Sequence, residues 1–190
     1  MTDAVNQIDL SVIIPKSTLR LGVISDTHNK INQDLISNLD GCDAIVHAGD
    51  IGDAAVLNEL KQYSPHVFPV RGNNDIDDKW PIQDQAELKK IPEYLELIFN
   101  DQVVGLIHGH QYDPVRKRHD KLRQHFPVAD IVVYGHSHRY VCDQETKPWV
   151  INPGAGGYTR TFGGASVVVM EFKDDSWSVT PFQLSEDGKL

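Results

Sequence analysis

The sequence predicts a mixed α/β protein, with sheet packed on sheet inside and helices outside. Three observations carry that expectation. Apolar runs alternate with helix-spaced segments through the first part of the chain, which predicts a parallel sheet covered by helices. Later apolar runs follow one another with only turns between them, which predicts further sheet. At 190 residues and 40% hydrophobic content, the chain is long enough for one sizeable core and short for two. It is read as one domain, 1–190, with residues 1–18 a possible N-terminal extension.

Within residues 1–18, "LSVII" either adds an edge strand or belongs to an irregular extension. "LGVIS" is a strand, and "KINQDLISNLD" places Ile31, Leu35, Ile36 and Leu39 at helix-face spacing before the strand "DAIVHAG". A second pass repeats the unit: "DAAVLNELKQY" puts Ala55, Val56, Leu57 and Leu60 on a helical pattern with Asp53 as N-cap, and "HVFPVRG" is the next strand. From about Glu93 the order changes. "YLELIFN" and "QVVGLIHG" flank Asn100-Asp101 as a hairpin whose turn lacks glycine. A helix over 115–125 and the strand "DIVVYG" follow, then "PWVINPG", "ASVVVMEFK" and "SWSVTPFQL", with "KDDS" as a hairpin turn.

A formal charge of −9 argues against broad electrostatic binding to nucleic acid or to an anionic membrane. The segment "VRKRHDKLRQH", 115–125, is the local exception and is read first as a solvated helix face. No apolar run has the length of a membrane span, and the N-terminus makes a poor secretory signal, so a cytoplasmic location is expected. Cys42 and Cys142, lacking any further spacing pattern, fit a reduced chain. Trp80, Tyr158 and Phe162 are read as core or loop packing rather than as an interface.

The polar residues collect where the apolar runs end. The first strand delivers Asp26 and His28, the second Asp50, the third Asn73, Asn74 and Asp75, the hairpin strand His108 and His110, and the next His136 and His138. In α/β sheets those carboxyl ends converge on one crevice. In "DTH" and "HSH" the polar residues lie two apart, so an extended backbone would project both to one side. Carboxylate and imidazole together suit borderline divalent metals such as zinc, manganese or iron. A structural zinc site would need about four ligands and usually cysteine. Seven candidates without a thiol point instead to two metals.

"SDTHN", "HAGD", "RGNND", "HGH" and "GHSH", in this order, resemble the motif series of the calcineurin-like metallophosphoesterases. The short length and the "HGH" form are similar to the superfamily's small bacterial and archaeal phosphodiesterases. The resemblance spans residues 20 to about 165 and includes "INPG", 151–154. It implies a metallophosphoesterase-like β-sandwich of two mixed sheets flanked by helices, in four layers α/β/β/α. It also implies that Asp26, His28, Asp50 and His138 bind one divalent metal ion and Asp50, Asn73, His108 and His136 a second, with Asp50 bridging. Manganese is the first expectation, with nickel, zinc, iron or magnesium as alternatives. The implied reaction is hydrolysis of a small phosphoester by in-line attack of a metal-bridging hydroxide. Asp75 is the expected support of the ligand imidazoles.

One position departs from the pattern. Many members carry "GNH" where this chain has "GNN", and Asn74 can donate a hydrogen bond but cannot transfer a proton. His110 is the candidate to take over contact with the phosphate or leaving group. The alternatives are a phosphomonoesterase on the same metal clamp and a catalytically silent scaffold, since a trafficking-complex subunit shares the fold.

Overall fold

The computed structural model describes residues 6–112 and 117–185. Among the described residues eleven strands form two mixed sheets. The first, in the order β11-β10-β2-β3-β4, contains β2 (Leu19–Ile24), β3 (Ala44–His47), β4 (Val67–Pro69), β10 (Ser166–Lys173) and β11 (Ser176–Gln183). The second, in the order β1-β5-β6-β7-β9-β8, contains β1 (Gln7–Asp9), β5 (Tyr94–Phe99), β6 (Gln102–Ile107), β7 (Ile131–Val133), β8 (Tyr140–Asp143) and β9 (Trp149–Pro153). Strands β2, β3 and β4 are parallel neighbours, as are β6, β7 and β9, so the site-bearing strands of each sheet run together.

Alternation along the strands makes the layers. Leu21, Val23, Ala44, Val46, Val168 and Met170 point into the space between the sheets, where they meet Leu95, Leu97, Val104, Leu106, Ile131 and Val133. The opposite faces are apolar too, which is why these strands read as continuous hydrophobic runs. Ile24, Ile45, Val167 and Val169 pack under Leu35, Leu39, Val56, Leu57 and Leu60. On the other side Ile107, Val132 and Val150 lie under Leu122 and Phe126. The result is the expected four layers, with short helices on each outer face.

The helices are shorter than their patterns. Ile31, Leu35, Ile36 and Leu39 are all buried, yet only α2 (Gln33–Ile36) and a following 3-10 turn are helical. In α3 (Ala54–Leu60), Asp53 accepts from the Val56 N–H at 3.1 Å, the expected cap, while Ala55 faces solvent instead of the core. At the N-terminus, "LSVII" is not a strand. The edge strand is β1, paired parallel to β5, and Leu10–Ile13 turns into a helix, α1, capped by Asp9. A further short helix, α4 (Gln85–Leu88), and the strand β8 lay outside the sequence pattern.

Both predicted hairpin turns exist without glycine. Asn100 and Asp101 have φ of 47° and 64°, and Asp174 and Asp175 have 51° and 57°, the left-handed pair a two-residue turn requires and one that Asn and Asp tolerate. The basic segment is α5 (Arg118–His125), with 115–116 outside the described residues. It is not merely a solvated face. Arg118 is buried with its guanidinium over the Tyr134 ring, and Arg123 is bound to Asp143 and the Pro148 carbonyl. Cys42 and Cys142 are free thiols. Among the described residues no helix is long and apolar enough to cross a membrane.

Candidate metal centre

The loops after β2, β3, β4, β6 and β7 meet at one edge of the sandwich and bring the predicted residues together. Ligand atoms of Asp26, His28, Asp50 and His138 all lie within 4.8 Å of one another. His138 Nε2 is 3.3 Å from Asp26 Oδ1 and 3.2 Å from His28 Nε2, and His28 Nε2 is 3.8 Å from Asp50 Oδ2. A second group adjoins the first. His108 Nε2 lies 3.5 Å from Asp50 Oδ1 and 3.2 Å from Asn73 Oδ1, and His136 Nδ1 is 3.1 Å from the same Asn73 oxygen. Asp50 therefore turns one oxygen toward each group.

The backbone reaches this arrangement by a different route from the one the spacing suggested. Asp26, His28, Asp50, His136 and His138 have φ between 45° and 66°, so both ends of "DTH" and of "HSH" are left-handed and neither triplet is extended strand. Asp and His enter that region more readily than most residues, but each such position is strained. Tight approach of the loops sustains it. A Cβ on Gly135 would lie 2.0 Å from Ser25 Oγ and 2.7 Å from the Ala48 carbonyl oxygen. Gly135→Ala is expected to cost about 1–3 kcal/mol through this overpacking. Chemical denaturation checks it, and an unchanged midpoint would show that the loops are not tightly apposed.

Hydrogen bonds aim the imidazoles. His108 Nδ1 is 2.7 Å from the Ala48 carbonyl and His138 Nδ1 is 3.0 Å from the Thr159 carbonyl. A carbonyl only accepts, so in each ring Nδ1 carries a proton, and a neutral ring presents the Nε2 lone pair to the centre. Asp75 does not perform the support expected of it. Its carboxylate instead accepts from the Ile51, Gly52 and Gly72 N–H groups and from the Trp80 indole, fastening the Asp50 and Asn73 loops to each other. Asn74 donates its amide N–H to Asp50 Oδ2 at 2.6 Å and its backbone N–H to Oδ1 at 2.8 Å. Its side-chain oxygen accepts from Lys79. His110 stands beside the second group, 5.5 Å from the His108 ring and 6.2 Å from His136, and its Nδ1 is buried with no hydrogen-bond partner among the described residues.

Charge at the centre fits a cation. Burial pushes the Asp26 carboxyl up to about 7, despite the opposing His108 charge and Ser25 hydrogen bond. Burial alone would raise Asp50, but hydrogen bonding and charge from His108, with two bonds from Asn74, hold it far below the usual carboxylate range. Burial likewise would lower His108, yet Asp50 and Asp26 raise it. A divalent ion among these converging acceptors would offset the burial of Asp26 and favour its ionised form. Burial lowers His28, and lowers His138 to about 4, which keeps both neutral as metal binding requires.

Three participants had no place in the expected set. Asn152, fully buried, donates to the Gly135 carbonyl and Ser137 Oγ, bracing the loop that carries His136 and His138. The "INPG" turn was its only signal. Arg160 places Nη2 3.4 Å from His28 Nε2 and 3.3 Å from His138 Nε2. A lone arginine in a loop gives no pattern to read. His47, in "HAGD", is fully buried: its Nδ1 accepts from the Gly49 N–H, and Nε2 bonds Thr27, whose hydroxyl donates to the Ile51 carbonyl. Burial pushes its imidazole from 6.5 down to about 3. In that window the unfolded chain binds the extra proton, so the neutral ring's contribution to stability is lost as pH falls from 6.5 toward 3. Imidazole NMR is expected to show His47 neutral at about pH 5, and a titration at its ordinary value would contradict this burial.

Fold and site together define an α/β sandwich with a carboxylate-and-imidazole centre at its strand ends. The chain matches the calcineurin-like phosphoesterase superfamily domain over residues 19–175, and it belongs to that superfamily. It is 26% identical over 144 residues to a phosphodiesterase of Methanocaldococcus jannaschii, covering 72% of this chain and 83% of that one. It is 30% identical over 144 residues to a probable metallophosphoesterase of Methanothermobacter thermautotrophicus, covering 71% and 76%. In fold it is similar to Vps29 of Chaetomium thermophilum, with TM-score 0.74, 20% identity and coverage of 90% and 92%. The resemblance carried by the five motifs is borne out.

Proposed function

We propose that the chain is a metal-dependent phosphodiesterase that hydrolyses a small phosphoester at a two-metal site. One observation carries the reading: Asp50 stands between two converging donor groups and gives one carboxylate oxygen to each. Asp26, His28, Asp50 and His138 would hold one divalent ion, and Asp50, Asn73, His108 and His136 the other. Manganese is the first choice, with nickel, zinc, iron or magnesium as alternatives. Such ions supply the charge that attracts a phosphate and the acidity that makes water a nucleophile near neutral pH.

The protein's own groups orient and balance that charge. The Ala48 and Thr159 carbonyls fix the rings of His108 and His138. Asn73 contributes an oxygen without a negative charge, so two carboxylates against two dications leave the centre attractive to an anion. Asn74 supports Asp50. His110, beside the second group and with a buried nitrogen unpartnered among the described residues, is the group proposed to meet the phosphate or leaving oxygen in an in-line hydrolysis. The relatives named phosphodiesterase and metallophosphoesterase support the reaction class. The scaffold alternative gains nothing from Vps29, whose likeness is one of fold, while every expected ligand position here is filled. We place the enzyme in the cytoplasm.

The test is hydrolysis of bis-p-nitrophenyl phosphate and p-nitrophenyl phosphate by metal-stripped protein supplied with each metal in turn. Diester cleavage restored by metal and weakened in His110→Ala is expected. Metal binding without turnover of either ester would favour the scaffold, and monoester cleavage alone the phosphomonoesterase.

A further inference from the structure

Resting on that reading of the centre, we propose that the loop 158–162 is its substrate-recognition element, built for a phosphate ester bearing a planar ring. Arg160 would bind a non-bridging phosphate oxygen and Phe162 would take the ring.

The loop is joined to the centre at two adjacent residues. The Thr159 carbonyl orients His138, and the next side chain, Arg160, lays its guanidinium on the Nε2 atoms of His28 and His138. Arg160 has a φ of 53°, a conformation that disfavours any residue with a Cβ, and the turn is closed by the Phe162 N–H to the Arg160 carbonyl and the Gly164 N–H to Thr161. The strained backbone aims a permanent cation at the metal donors. A guanidinium is repelled by divalent ions in the same place. Beside them its planar fork has one natural partner, an anion that the ions also hold. In a chain of net charge −9, three cations gather at this loop: Lys30 over Tyr158, Arg139 over Phe162, and Arg160 itself.

The aromatic residues of the same loop are exposed. Trp80 is core, but Tyr158 and Phe162 keep 52% and 46% of their surface in solvent. The Phe162 ring centroid is 6.5 Å from that of His138, and Arg139 lies over it at 4.5 Å. Lys30 lies 5.1 Å over Tyr158. Cations over exposed rings beside a phosphate centre form a surface on which a planar substituent stacks, as bases do on aromatic and arginine side chains. The substrate class is therefore an aryl or nucleoside phosphate ester and not a simple alkyl one.

The experiment titrates manganese-loaded protein with inorganic phosphate and with phenyl phosphate by calorimetry, measuring bound metal in every sample. Arg160→Ala is expected to weaken both ligands by about tenfold with metal content retained, as loss of a charged hydrogen bond does, and Arg160→Lys to recover part of this. Phe162→Ala is expected to leave inorganic phosphate unchanged and to weaken phenyl phosphate about fivefold or more. Unchanged phosphate affinity in Arg160→Ala, loss of metal from that variant, or equal weakening of both ligands in Phe162→Ala would overturn the proposal. A wild-type protein that binds phosphate through Arg160 but cleaves no ester would remove the catalytic reading and leave this subsite standing.

Discussion

Asp50→Asn is expected to reduce diester turnover by about a thousandfold or more at any metal concentration, the size of a loss of several kcal/mol of charge stabilisation. The substitution keeps the shape and takes away the charge at the one side chain that faces both donor groups, with Oδ2 toward His28 and Oδ1 toward His108. It also places an amide against the Asn74 amide that now donates to Asp50. His138→Ala and His108→Ala each touch a single group, so each is expected to lose one equivalent of metal, whereas Asp50→Asn weakens both. The check is steady-state kinetics beside metal analysis on the same samples. Near-normal turnover in Asp50→Asn would show that the two groups do not act as one centre.

Removing metal is expected to lower the melting temperature by about 5–10 °C relative to protein with the ion at some hundredfold over its dissociation constant, about 2.7 kcal/mol of linkage in a domain of this size. The physical source is local. Five candidate ligands hold left-handed backbone, and a buried carboxyl at Asp26 is pushed up to about 7 by desolvation. These features are unfavourable in isolation and compatible with one another around a cation. Thermal melts with chelator and then with increasing manganese test it. A melting temperature that ignores metal would mean that the hydrogen-bond frame alone, chiefly Asp75 and Asn152, holds the loops.

The fold was legible where burial is two-sided. Strands β2, β3, β6, β7 and β10 appear as largely apolar runs because one face meets the other sheet and the next face meets helices. What escaped was short or half-exposed. β8, Tyr140–Asp143, is only partly buried along its whole length, so it has no alternation to read, and α4 is a single turn. Ile31, Leu35 and Leu39 have helical spacing because all three pack on the sheet, although only the middle one lies in the α-helix. Burial pattern reports the face and not the hydrogen bonding.

At the site, residue type and strand-end position were enough to gather the seven candidate ligands. The orientation was not available, since the extended reading of "DTH" and "HSH" fails against backbones with positive φ. Supporting groups were hardest to assign. Asp75 looked like a partner for an imidazole, but the rings of His108 and His138 are held by the carbonyls of Ala48 and Thr159, and carbonyls have no sequence signature. Arg160 stands 22 positions beyond His138, and only the folded chain brings its turn back to that ring.

The measurement that tests the central claim most directly is hydrolysis of bis-p-nitrophenyl phosphate while manganese is titrated into the stripped protein at a known chain concentration. The account predicts no turnover without metal and a rise that levels off at two equivalents per chain, because two donor groups share Asp50. A plateau at one equivalent, or turnover that survives complete removal of metal, would contradict it.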